Sequence, residues 1–150
     1  MEIREVKTIE EARICDSLLT KLIQDESKYN EMINPNFIVN NYFENIYNNE
    51  NNTLLIAITN NEIVGYAFVK TIEAEIENQR LALIDGLFVL EEYRGKGIAS
   101  SLINESLKWT KENNIDIVKI KVMSNNINAV KLYEKFKFTE LSKEMILSVN

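Results

Sequence analysis

The chain has 150 residues, a net charge of −6 and a pI of about 4.8. It is long enough for one domain with its own core (1–150), and too acidic for general nucleic-acid binding, which relies on a basic face. Its lone cysteine, Cys15, excludes an internal disulfide, and with no histidine neither a Cys/His metal cluster nor a catalytic imidazole can be built. No metal is expected. No apolar run reaches membrane-spanning length and the first residues lack the order of a secretion signal, so a cytoplasmic protein without membrane contact is the expectation.

In chain order, residues 2–7 read as a short opening strand, although Ile3 and Val6 fall on opposite faces. Thr8-x-x-Glu11 matches a capping box. Ala12, Cys15, Leu18, Leu19, Leu22 and Ile23 share one helical face, which predicts a first helix ending near Gln24. Asn34-Pro35 followed by Ile38, Tyr42 and Ile46 predicts a second helix or a pair of helical turns. The asparagine-rich residues 45–52 read as a loop.

Residues 53–59 and 62–72 form an expected hairpin around Asn60-Asn61, and residues 73–79 are polar and turn-like. Residues 80–90 are apolar on both faces, as in a central strand. A helix over 98–112 leads to a strand over 115–122, parallel to the preceding strand if the helix is a crossover. Ala129, Leu132, Tyr133 and Phe136 mark a last helix, and Phe138 and residues 145–149 suggest closing strands. The class is α+β, with a mixed sheet flanked by helices.

Two stretches carry candidate chemistry. Residues 84–101 run from an apolar strand through a charged loop into a helix, with Gly95 and Gly97 one residue apart and Arg94 and Lys96 between and before them. Glycines let backbone N–H groups turn toward an anion, and a helix N-terminus adds unpaired donors. The third glycine of a dinucleotide fingerprint is missing, and no Gly-x-x-x-x-Gly-Lys-Ser/Thr sequence occurs, so nucleotide-binding loops of those kinds are not supported. The second stretch, residues 126–138, places Tyr133 on a helix, where spacing alone more often means a core aromatic.

Arg94-x-x-Gly97-x-Ala99 resembles the Arg/Gln-x-x-Gly-x-Gly/Ala pyrophosphate loop of the GNAT superfamily of N-acetyltransferases, and Leu87-Phe88-Val89 resembles its acetyl-CoA strand. Asn126-x-x-Ala129-x-x-Leu132-Tyr133-Glu134-Lys135-x-Lys137-Phe138 is similar to a second GNAT signature, Asn-x-x-Ala-x-x-Leu-Tyr-Glu-Lys-x-Gly-Phe, with Lys137 in place of its glycine. The resemblance implies a GNAT-like fold in which two central parallel strands splay apart to admit acetyl-CoA, a co-substrate.

It further implies that Leu87, Phe88 and Val89 pair with the pantetheine arm, and that Gly95, Lys96, Gly97, Ile98, Ala99 and Ser100, with Arg94, hold the pyrophosphate. Asn126 opens the second motif and is counted with the cofactor site. Tyr133 is the implied proton donor to the leaving thiolate. Asp85, placed by two-residue alternation on the face of Leu87 and Val89, is the candidate base; the bland alternative is a strand acid bound to backbone or to a neighbouring lysine.

The activity so implied is acetyl transfer to a small-molecule or peptide primary amine by direct attack in a ternary complex. A non-catalytic acyl-CoA-binding module is the alternative. Glu73, Glu75 and Glu77 border the expected acceptor side and could attract an amine. Dimers are frequent among proteins that resemble this chain, and the sequence leaves a homodimer open.

Overall fold

The apolar runs form strands where expected, and a computed structural model, describing residues 1–73 and 79–150, assembles them into one mixed sheet. Its strands are β1 (Glu2–Glu5), β2 (Asn52–Thr59), β3 (Glu62–Ile72), β4 (Leu81–Val89) and β5 (Ile117–Ile120), side by side in that order. Only the β4–β5 pair is parallel. Asn60 and Asn61, at φ 52° and 61°, make the tight β2–β3 turn, because asparagine tolerates the left-handed conformation a two-residue hairpin needs.

Helix α1 (Ile9–Glu26) begins with the expected cap. The Glu11 N–H donates to Thr8 Oγ1 at 3.1 Å, while the Glu11 carboxylate accepts from the Lys7 N–H at 2.7 Å and from Arg4 of β1. These bonds tie the first strand to the first helix. Helix α2 (Ile98–Glu112) and helix α3 (Ile127–Lys135) also lie where the spacing put them.

The two faces of the sheet are covered by different elements. Phe43 meets the rings of Tyr66 and Phe68 edge-on, at 5.6 and 5.3 Å, on the face where α1 and its following segment pack. On the opposite face α2 lies so close that a Cβ on Gly65 would come within 3.4 Å of Leu102.

The expected second helix is reduced to turns and a short 3₁₀ helix at Phe43–Asn45. Asn34 accepts the Asn36 N–H at 2.9 Å, but only a turn follows it and Asn41 adopts φ 57°. Ile38 and Tyr42, which suggested a helical stripe, are exposed; the buried anchor is Phe43, whose N–H donates to Asp16 Oδ1 at 2.9 Å. The expected closing strands are absent: residues 139–150 take no regular structure. They stay unpaired although the outer edge of β5 has no partner among the described residues, and an unpaired segment gains nothing from extending.

No helix among the described residues is long and apolar enough to cross a membrane. Glu75 and Glu77 lie outside the described residues.

Candidate active site

The site arises from a mismatch of strand lengths. β5 pairs with β4 only from Leu81↔Ile117 to Ile84↔Ile120, whereas β4 continues to Val89. Beyond Ile84 the edge of β4 that faces β5 is free, and the two parallel strands part, as the sequence led one to expect. The Leu90 N–H donates to the Val64 carbonyl at 2.8 Å, toward β3. Backbone groups alternate direction along a strand, so those of Leu87 and Val89 point into the opening while those of Phe88 face β3.

A β-bulge lies at the point of parting. Phe68 pairs with Gly86 and Val69 with Ile84, which leaves Asp85 without a partner on β3. The bulge shifts the alternation by one residue. Asp85 therefore does not share the face of Leu87 and Val89, as simple alternation predicted. It lies on the α1 face, with Lys70 Nζ 3.2 Å from its Oδ2. Next to it, the hydroxyl of Tyr66 rests against Gly86 so closely that a Cβ there would come within 2.6 Å. That hydroxyl is buried and has no hydrogen-bond partner among the described residues.

The loop after β4 adopts the glycine conformations the cradle requires. Gly95 and Gly97 have φ +77° and +83°, and nothing lies within 4 Å of the position a Cβ would take at either. Gly97 is the N-cap of α2 and has no side chain to cap the helix, so the first-turn N–H groups of Ile98, Ala99 and Ser100 are left for a ligand. Lys96 leans over the Tyr93 ring at 5.4 Å. Arg94 is engaged internally: its Nε–H donates to the Val89 carbonyl at 2.8 Å, its Nη2 lies 3.2 Å from Asp25 Oδ2, and its guanidinium stacks 5.1 Å from the Phe88 ring centroid. It fastens the end of β4 to the end of α1 as well as adding charge.

α3 borders the opening from the other side. Asn126 caps it, its Oδ1 accepting from the Ala129 N–H at 3.4 Å. Burial, with Glu26 adding repulsion, pushes the Tyr133 hydroxyl up to about 12. The phenol is therefore neutral and able to donate at any physiological pH. Lys137 has φ 74°, so it takes the left-handed conformation that glycine would take and the turn after the helix is kept.

Sequence reasoning missed Glu26. The end of α1 reaches over the opening, with Asp25 fastened to Arg94 on the β4 side and the Tyr29 carbonyl accepting from Asn125 Nδ2 at 3.3 Å on the α3 side. Glu26 sits between them, half-buried; its carbonyl accepts from the Tyr29 and Asn30 N–H groups, while its carboxylate has no hydrogen bond or ion pair among the described residues. Burial, and then Asp25, push its carboxyl above the usual range, and its charge is felt by both Tyr66 and Tyr133. Nothing in the local spacing separates Glu26 from the other polar residues that end α1. A cavity of about 430 Å³ lined by Glu5, Tyr47, Asn49 and Trp109 lies apart from this site.

Residues 18–138 match the model of the acetyltransferase (GNAT) family. An N-alpha-acetyltransferase of Sulfurisphaera tokodaii is 31% identical over 94% of this chain and 88% of its own length. One from Saccharolobus solfataricus is 35% identical over 57% of this chain and 56% of its own, and an uncharacterized N-acetyltransferase of Archaeoglobus fulgidus is 30% identical over 63% and 65%. The chain thus spans less than two thirds of the latter two relatives. Among solved structures, a mutant Bacillus halodurans protein aligns over all of both chains with a TM-score of 0.88 at 20% identity. An aminoglycoside N-acetyltransferase in complex with CoA aligns over 99% of both chains with a TM-score of 0.75 at 16% identity.

Proposed function

The chain belongs to the acetyltransferase (GNAT) family, and on that premise we propose that it transfers the acetyl group of acetyl-CoA to a primary amine by direct attack in a ternary complex. The observation that carries this reading is the gap where β4 outruns β5, opening beside a helix N-terminus with free donors. The open space at Gly95 and Gly97 fits a pyrophosphate, and the free edge of β4 fits an extended arm that pairs as an added strand. Acetyl-CoA, when bound, supplies an activated acyl group and a thiolate leaving group.

The protein's own residues then have separable tasks. The first turn of α2, with Lys96, holds the diphosphate end, and the Asn126 cap fixes the start of α3 beside the arm. The Val89 N–H, aimed into the opening and held by the Arg94 bond to the same residue's carbonyl, donates to the oxyanion as it forms. Tyr133, kept protonated by its burial, donates to the departing sulfur.

Two carboxylates compete for the acceptor's proton. Asp85 is compensated by Lys70, which suits it to orienting an acceptor. Glu26 is uncompensated and its proton affinity is raised, which brings it nearer to that of an amine and makes it the better base. The acceptor class favoured by the N-alpha-acetyltransferase relatives is a peptide α-amine. Its pKa of about 8, against about 10.4 for a lysine, leaves more of it neutral and able to attack.

A non-catalytic acyl-CoA-binding module would need the same cradle but not Tyr133 or Glu26. Release of free thiol from acetyl-CoA with a panel of peptide, aminoglycoside and polyamine acceptors separates the two readings: an enzyme releases CoA in step with acceptor, a binding module does not.

A further inference from the structure

Arg94 joins two parts of the site that lie far apart in the chain. Its Nε–H donates to the Val89 carbonyl at 2.8 Å, and its Nη2 lies 3.2 Å from Asp25 Oδ2. Val89 carries the N–H aimed into the opening, and Asp25 is the residue before Glu26. One guanidinium, a planar fork that a lysine does not reproduce, therefore sets the separation between the end of β4 and the end of α1. Its stacking 5.1 Å from the Phe88 ring centroid limits its freedom further.

Asp25 is held from both sides. Lys28 Nζ donates to its Oδ1 at 2.7 Å, while Arg94 takes Oδ2. Burial opposes its charge, but the Lys28 hydrogen bond and the Arg94 guanidinium together outweigh burial and keep its carboxyl below the usual range. Glu26, one residue on, is pushed the other way, by burial first and by Asp25 second. Neighbouring carboxyls whose proton affinities are driven apart are suited to different tasks.

The other groups facing Glu26 leave Asp25 as the charge that acts on it. Tyr66 of β3 and Tyr133 of α3 both feel Glu26, and burial keeps both phenols neutral. On β4, Asp85 is matched by Lys70, and the two cations near the end of α1, Lys28 and Arg94, are both engaged by Asp25. We propose that Asp25 is a positioning residue for the acetyl transfer: strapped to Val89 through Arg94, it holds Glu26 at the opening in register with the oxyanion donor. The proposal rests on the transfer reading, with Glu26 as base. Asp25 stays ionised over the range in which Glu26 titrates, so its negative charge favours the protonated form of Glu26 throughout that range.

The test measures kcat, acetyl-CoA affinity and the pH profile of kcat/KM for the full chain and for Asp25→Asn, Asp25→Glu and Arg94→Lys. Asp25→Asn should lower kcat by about 10-fold or more with acetyl-CoA affinity kept. It should also move the acidic limb to lower pH, because the repulsion that disfavours ionised Glu26 is gone. Asp25→Glu restores the charge and should return the limb to its place. Arg94→Lys keeps a positive charge in the loop but does not bridge both partners, so kcat should fall again. Combined with Asp25→Asn, it should cost no more than the larger single change, since both cut one strap. A strap that is only structural would lower the melting temperature and leave kcat and the limb alone, and that result for Asp25→Asn overturns the proposal. Should Asp25→Asn fail to fold, an unaltered kcat in Arg94→Lys overturns it equally. Absence of thiol release by the unaltered protein with every acceptor is a different failure: it overturns the transfer reading, and the proposal with it.

Discussion

Tyr133 and Phe138 are joined twice: the Phe138 N–H donates to the Tyr133 carbonyl at 3.1 Å, and their rings meet edge to face with centroids 6.1 Å apart. With the Lys137 N–H donating to the Glu134 carbonyl at 2.9 Å, this is a Schellman closure with its hydrophobic contact, and it fixes the last turn of α3 from which Tyr133 projects. Its left-handed residue is Lys137, where a side chain costs about 1 kcal/mol relative to glycine. Lys137→Gly should raise stability by about 1 kcal/mol in denaturant unfolding and leave turnover unchanged. A loss of stability would mean that the lysine side chain contributes something the turn does not require.

Gly86 and Tyr66 make a second prediction. A methyl group at Gly86 would meet the Tyr66 hydroxyl at 2.6 Å in a fully buried position, so Gly86→Ala should destabilise by about 1–3 kcal/mol, as overpacked cores do. Tyr66→Phe removes a buried hydroxyl that has no partner, and its stability should be unchanged or higher. In the double variant part of the Gly86→Ala loss should be recovered, the Tyr66 ring carbons remaining 3.0 and 3.1 Å from the added methyl, as thermal unfolding would show.

Glu26 and Asp85 are distinguished by pH. Burial raises the Glu26 carboxyl, so its ionised form, the one that takes a proton, is lost as pH falls through a value above the usual carboxylate range. The acidic limb of kcat/KM should report that loss and vanish in Glu26→Gln. Asp85→Asn should raise KM for the acceptor and keep the limb in place. The opposite pattern would return the base role to Asp85.

Glu11 governs acid stability. The hydrogen bond from Arg4, opposed by burial and aided by the Lys7 N–H, holds its carboxyl down at about 2. A carboxyl lower in the folded than in the unfolded chain stabilises above the unfolded pKa of about 4.3, and that stabilisation is lost as pH falls toward 2. Glu11→Gln should lower stability at neutral pH and flatten its fall between about pH 4.3 and 2, measured by urea midpoints. An unchanged slope would show that other carboxylates dominate.

Most of the sheet and all three α-helices were legible because their residues answer to local rules: the Thr8 cap, the Asn60-Asn61 turn, the doubly apolar run of β4 and the glycines at 95 and 97. The cradle was legible for the same reason. Three features were not. The Asp85 bulge depends on how β3 and β4 pair, and one extra residue is enough to change the face on which the acid lies. Residues 34–46 have helical spacing, but the burial of Phe43 against Tyr66 and its bond to Asp16 decide their course. Glu26 owes its environment to Arg94 and Asn125, 68 and 99 positions away in the chain, and short-range patterns do not carry such contacts. The closing strands suggested by composition do not form: residues 139–150 take no regular structure although the outer edge of β5 is unpaired among the described residues.

The account stands on Tyr133 as the proton donor of an acetyl transfer. Its most direct measurement is steady-state thiol release by the unaltered protein and by Tyr133→Phe, with acetyl-CoA and a peptide α-amine, alongside acetyl-CoA affinity by calorimetry. The predicted result is a fall in kcat of about 10²-fold or more with affinity for acetyl-CoA retained. Equal turnover by the two proteins would contradict it.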